Sequence, residues 1–180
     1  ASAGTLVGHP EVGDRVCVQI ESLLRQHKQP QQAAVLLGAI VEANPSIFSL
    51  WVLLGDLYAS ALQHRESAKA YDQALALREE LAVLLKRTKQ VMKTDDWQAA
   101  LKRLQNTQLK SVHQDAEYLR LLAACHYQLK AFGEAAAQYA RAYAVEAEPR
   151  TLLSKAIALQ ADGDYAQALE TLNTLKIHET

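Results

Sequence analysis

The chain has 180 residues, of which 49% are hydrophobic, and its 19 Lys and Arg stand against 20 Asp and Glu for a net charge of -1. That content supports a packed core and excludes an unfolded polar chain, while the even charge balance lacks the basic excess of a typical nucleic-acid binder. Cys17 and Cys125 are the only cysteines, which rules out a disulfide framework and leads us to expect a reducing, cytoplasmic setting.

Residues 1–13, ASAGTLVGHPEVG, are expected to be an unstructured lead-in. They lack the charged leader and apolar stretch of a signal peptide. No later run approaches the roughly 18 apolar residues that span a bilayer, so no membrane insertion is expected. Only 7 Gly and 4 Pro occur in the whole chain. Ala, Leu, Gln, Glu, Lys and Arg dominate and strand-type alternation is scarce, so the fold is expected to be all-α.

In chain order, residues 14–47 offer a weak first helix with Ile20 and Leu24. A better second helix follows, with Ala33, Leu37 and Ile40, closed by ANP at Pro45. Residues 48–80 open on WVLLGDLY, with Trp51, Leu54, Gly55 and Tyr58, and continue in SAKAYDQAL with Ser67, Tyr71 and Ala74. Residues 81–115 begin with LAVLLKRTKQVM, which puts Arg87 and Thr88 where apolar and small residues are expected. A second helix follows with Trp97, Ala100 and Leu104, capped by Asp95 or Asp96. Between Glu66 and Thr94 no Gly or Pro breaks the chain. Either a tight turn falls near Glu79 and Glu80, or one long helix runs through, or an unordered loop is missing there. Residues 116–148 supply Leu119, Leu122 and Ala123, then Phe132, Ala135, Tyr139 and Ala142. Residues 149–180 supply Leu152, Ala156 and Leu159, then a turn at Gly163 followed by Tyr165, Ala168 and Leu172.

A small residue followed four positions later by a large one recurs as Ala33/Leu37, Ser67/Tyr71, Ala100/Leu104, Ala135/Tyr139 and Ala168/Leu172. The large residues are spaced by 34, 33, 35 and 33. Near-equal intervals of this size mark a repeat array. From Asp14 to Thr180 the chain resembles the tetratricopeptide repeat family, whose unit is a helix-turn-helix with the pattern W-x2-L-G-x2-Y, A-x3-F, P. The resemblance implies a right-handed superhelix of about five antiparallel hairpins. Small residues such as Gly55, Ala123 and Ala156 would let paired helices approach, and Tyr58, Phe132, Tyr139 and Tyr165 would fill the wedges between hairpins.

Signals for chemistry are thin. The histidines His9, His27, His64, His113, His126 and His178 are scattered, and none stands at i,i+4 from another His, a Cys or a paired carboxylate, so no metal site is expected. Cys125 and His126 are neighbours that point about 100° apart on a helix. Glu79-Glu80 and Asp95-Asp96 suit helix ends better than acid/base catalysis. No Walker loop, G-x-G-x-x-G or G-x-S-x-G occurs. The chain is therefore expected to be no enzyme and to hold no cofactor.

The resemblance further implies a concave groove lined by the first-helix residues that packing leaves free. These would be Arg15, Val18, Ser22 and Arg25 in the first unit, and Ser49, Val52 and Asp56 in the second. Leu85, Lys89 and Met92 would follow in the third, Arg120, Ala124 and Tyr127 in the fourth, and Arg150, Leu153 and Ile157 in the fifth. Arginine and lysine outnumber acids five to one on that surface, with apolar residues between them. It would suit an amphipathic peptide or partner protein carrying acidic side chains. The basic cluster KRTKQVMK reads first as a solvated helix face, and no nucleic acid is expected because few aromatics interleave with it. Val18, Ser22, Val52 and Asp56 occupy places where chaperone-tail clamps of this family carry Lys and Asn, so that two-carboxylate clamp is absent. The C-terminal stretch resembles in outline the chaperones of type III secretion translocators. An adaptor, scaffold or chaperone in a larger assembly is the reading the residues favour, and the alternative is a self-associating structural segment of a larger repeat protein, as a homodimer or a subunit of a multiprotein complex.

Overall fold

The structure is a computed structural model that describes residue 18 and residues 30–177. Among the described residues it contains nine α-helices, one short 3-10 turn and no strand. The chain divides into two compact units between Thr94 and Asp95.

The first unit holds α1 (Pro30–Ala43), α2 (Phe48–Ser60), α3 (His64–Leu77) and α4 (Leu81–Met92). Ala34, Leu37 and Val41 of α1 close against Leu50, Leu53 and Leu54 of α2 and Ala70 of α3, with Trp51 and Tyr58 partly buried beside them. The Trp51 indole N–H donates to the Pro45 carbonyl at 2.8 Å, which ties α2 back to the turn that ends α1. Gly55 decides how closely α2 and α3 approach. A Cβ built there would stand 2.5 Å from Tyr71 Cε1 and 2.6 Å from Cδ1. Tyr71 is fully buried, and Ser67 Oγ donates to the Gly55 carbonyl at 2.8 Å, so the ring lies over the glycine where a side chain would otherwise be.

Two helices, and not one, occupy residues 64–92. Arg78 and Glu80 are extended, so the break falls near Glu79 and Glu80 although neither Gly nor Pro makes it. Arg78 secures the joint, with its guanidinium 3.9 Å from the centroid of the Phe48 ring and Nη2 donating to Glu80 at 2.8 Å. The two residues that looked out of place on α4 have local partners. Thr88 is fully buried and returns its hydroxyl to the Leu84 carbonyl at 2.8 Å, and so serves as the small residue. Arg87 pairs with Asp72 of α3 at 3.0 Å.

The second unit holds α5 (Trp97–Gln105), a 3-10 turn at Val112–Gln114, α6 (Ala116–Gln128), α7 (Phe132–Val145), α8 (Pro149–Asp162) and α9 (Tyr165–Ile177). Of the two candidate caps for α5, Asp96 does the work, accepting from Ala99 N at 3.0 Å. Asp115 caps α6 in the same way through Tyr118 N at 2.7 Å. Buried Tyr118 donates its hydroxyl to the Leu104 carbonyl at 3.0 Å and joins α5 to α6. Ala135 and Ala136 of α7 meet Ala158 and Leu159 of α8 and Ala168 of α9, with Tyr127 and Tyr139 packed against them. Of the four expected wedge aromatics, Tyr58, Phe132 and Tyr139 are partly buried, but Tyr165 is 70% exposed. It sits at the first position of α9, on a face that no described helix covers.

Three hairpin turns share one geometry. Gln63 N donates to the Tyr58 carbonyl, Ala131 N to that of His126 and Asp164 N to that of Leu159, each enclosing a second bond one residue inside it at either end. This is the Schellman pattern, which needs a left-handed residue just past the helix. The residues there are Leu62 (φ 60), Lys130 (φ 63) and Gly163 (φ 88), so only one of the three turns carries the glycine that makes it legible. Leu62→Gly should raise the urea midpoint by the equivalent of about 0.5–1 kcal/mol, since the relief of strain exceeds the added chain entropy. Gly55→Ala should lower stability by about 1–2 kcal/mol, overpacking outweighing the helix-propensity gain. Shortening the opposing ring with Tyr71→Leu in the same chain should remove most of the penalty specific to Gly55→Ala.

Candidate functional site

Of the residues expected to line a groove, Arg15, Ser22 and Arg25 lie outside the described residues, and Val18 is exposed. The rest fall into two sets, one in each unit.

In the first unit Ser49, Val52 and Asp56 are half-buried along α2. Asp56 is already engaged. It accepts from the Tyr71 hydroxyl at 2.5 Å and from Lys86 Nζ at 2.9 Å on each oxygen. Leu85 does not line this face, being only 7% exposed. α4 buries Val83, Leu84, Leu85, Thr88, Gln90 and Val91, which turns Ala82, Lys86, Lys89 and Lys93 outward. On α4, Leu85 is therefore buried while Lys86 beside it is exposed. Met92 is half-buried. The i, i+3, i+7 spacing of the three lysines was the available signal.

In the second unit α6 and α8 supply the face. Arg120 is not an unopposed cation: Nη2 donates to Glu146 at 2.9 Å, and Nη1 stands 3.1 Å from Glu148. That Nη1 is buried and has no aligned acceptor. Both glutamates come from the segment between α7 and α8, twenty-six and more residues away in sequence, which is why counting charges along first helices passes over them. Ala124 and Tyr127 are half-buried, and the Tyr127 ring meets Phe132 edge-on at 5.2 Å between centroids. On α8, Arg150 is exposed, and one turn later Leu153 and Ile157 are 44% and 45% exposed.

The remaining candidates for chemistry have structural surroundings. His64 Nδ1 pairs with Gln90 Oε1 at 2.8 Å, and His113 packs edge-on against Tyr118. Cys125 is a buried free thiol, held away from reactive partners inside α6. Among the described residues no group of three or more His, Cys, Asp or Glu is arranged to hold a metal ion, and no helix is long and apolar enough to cross a membrane.

A family model described as "Tetratricopeptide repeat" matches residues 18–82 and 91–150. The chain belongs to the tetratricopeptide repeat family. No curated protein matches it by sequence. Among solved structures, a crystal structure of the MamA protein superposes with a TM-score of 0.79 at 16% identity, covering 91% of this chain and 90% of that one. YrrB, described as a TPR protein with an unusual peptide-binding site, gives 0.70 at 18% identity over 86% of this chain and 80% of its own. Pseudomonas aeruginosa pilF gives 0.71 at 17% identity over 93% and 77%. At these identities the likeness speaks for the fold. The tetratricopeptide repeat pattern accounts for Trp51, Leu54, Gly55, Tyr58 and Tyr71, all of them buried or packed against the core of the first unit.

Burial within this repeat core sets its alkaline behaviour. It pushes the Cys125 thiol up from 9.0 to about 11, and raises the hydroxyls of Tyr118 and Tyr139. Tyr71 is raised first by burial and then by its hydrogen bond to Asp56. In the unfolded chain these groups ionise earlier, so above about pH 9 the unfolded state holds fewer protons and stability falls as pH rises. Below that window they contribute no pH dependence. Urea midpoints should therefore be level from about pH 7 to 8.5 and drop by pH 10.5. In a Cys17→Ser chain, Ellman's reagent at about pH 8 should label Cys125 only upon unfolding.

Proposed function

We propose that the chain is a protein-interaction module that binds a peptide segment or partner subunit on its first-helix faces, as an adaptor, scaffold or chaperone within a larger assembly. The observation that carries this reading is the pair Leu153 and Ile157. They stand one turn apart on α8, nearly half exposed, in a unit whose other large residues are mostly packed. Paired apolar residues at i,i+4 suit an amphipathic partner, whose apolar side chains cover them. Arg150, exposed at the start of the same helix, offers an acidic partner side chain a charge-assisted hydrogen bond. In the first unit exposed Lys93 supports the same preference for an acidic partner, while Lys86 is already matched by Asp56.

Family members of this kind act by binding, and the reading assigns no catalytic residue, no cofactor and no nucleic-acid partner. A reducing, cytoplasmic setting suits the cysteine content. A second reading, self-association, is favoured by α9, where Tyr165, Leu169 and Leu172 recur at i, i+4 and i+7 and all three are exposed. Light scattering at several concentrations separates the two. A monomer throughout supports the adaptor, and a concentration-dependent dimer that Leu169→Glu abolishes supports self-association.

Affinity purification from the native source should recover a partner by mass spectrometry. The double change Leu153→Glu and Ile157→Glu should reduce that partner's affinity at least tenfold with unchanged helicity by circular dichroism, the loss of two apolar anchors being worth about 1.4 kcal/mol or more. Unchanged affinity removes α8 from the binding face.

A further inference from the structure

We propose that α9 is a second docking face, separate from the first-helix faces, and that its occupant is an amphipathic α-helix of a partner protein carrying a small residue between two large apolar ones. The repeat itself supplies the comparison. Tyr165, Leu169 and Leu172 stand at the places that His64, Ala68 and Tyr71 take on α3 and that Phe132, Ala136 and Tyr139 take on α7. On α3, Ala68 and Tyr71 are buried, and His64 pairs with Gln90 of α4. On α7, Ala136 is buried and meets Ala158 and Leu159 of α8. On α9 the corresponding three residues are 70%, 62% and 39% exposed. Both earlier faces are closed by a helix, so the open face of α9 has the shape of a helix seat.

Side-chain size and area identify the occupant. Where α3 and α7 have alanine, α9 has Leu169. A covering helix must therefore offer Ala or Gly to a protruding leucine, the reverse of the fit on the earlier faces. Glu170 is the only charged residue between Tyr165 and Leu172, and helical spacing turns it away from the stripe, so an apolar face is complementary. A helix running back along α9, as α8 does along α7, sets its residues i, i+3 and i+7 against Leu172, Leu169 and Tyr165. A second copy is a poorer occupant. Two such stripes set against each other would bury on the order of 700 Å² in total, short of the roughly 1,000 Å² of a lasting interface. A lone helix can follow the stripe along its whole length and bring the rest of its protein to add area.

The test uses fluorescence anisotropy of the full chain with labelled, stapled helical peptides of Lys, Gln and Ala. Their apolar face holds Leu at i and i+7 and either Ala or Leu at i+3. The Ala-centred peptide should bind the unchanged chain at least threefold more tightly than the Leu-centred one, and Leu169→Ala should exchange that preference. Leu169→Glu should weaken binding at least tenfold, whereas Thr174→Glu, the same charge on the far side of α9, should leave it within twofold. Unchanged helicity by circular dichroism shows that each variant folds. Failure of the unchanged chain to bind either peptide, or a preference that Leu169→Ala leaves in place, overturns the seat on α9. Binding lost in Leu153→Glu and kept in Leu169→Glu assigns the peptide to the α8 face and overturns it equally. Light scattering should show the unchanged chain monomeric at the concentrations used. A dimer that Leu169→Glu abolishes makes a second copy the occupant and overturns the partner helix.

Discussion

The contact on which the first unit depends is the one between a missing side chain and a ring. Gly55 gives up its Cβ so that Tyr71 can lie across α2, and the consequences spread from there. The ring's position sets the separation of α2 from α3. Its hydroxyl reaches Asp56, and Asp56 in turn fixes Lys86 of α4. One absent methyl thus links α2, α3 and α4 through a ring and a charged pair. The second unit obtains the same closeness with alanines, Ala135 and Ala136 of α7 against Ala158 of α8. Small residues work in both places because dispersion and burial reward short interhelical distances, and anything larger forces the backbones apart.

The helices and their packing residues were legible because they obey a period. Trp51, Leu54, Tyr71, Leu104 and Leu119 all take the places their spacing indicates, since burial on one side of a helix leaves a mark every three or four residues. The break between α3 and α4 was not decidable. Its extended residues, Arg78 and Glu80, carry no intrinsic preference strong enough to announce it, and tertiary contacts through Phe48 and Asp72 hold it instead. Tyr165 occupies a packing position by pattern and an exposed one in space, because a repeat position packs only where another helix lies against it.

The faces were legible in part. Leu153 and Ile157 are exposed on α8, while Leu85 is buried on α4 with Lys86 exposed beside it. Charge was the least legible quantity. A count along the first helices gives five cations and one acid, yet Lys86 is matched by Asp56 and Arg120 by Glu146 and Glu148. Asp56 is the one acid in that count, whereas Glu146 and Glu148 lie outside the first helices, and nothing periodic connects them to Arg120. Net formal charge on a surface is a property of the folded neighbourhood, and a sequence window samples only part of it.

The three shared hairpin turns bear on how such a chain changes over generations. Leu62 and Lys130 adopt a backbone conformation that favours glycine, and the hydrogen bonds that define the turn are made by main-chain atoms alone. Each position is therefore a reserve from which one substitution recovers stability without touching a binding face. Lineages carrying that reserve can accept a costly alteration elsewhere in the fold and restore the loss at a distant turn while the scaffold persists.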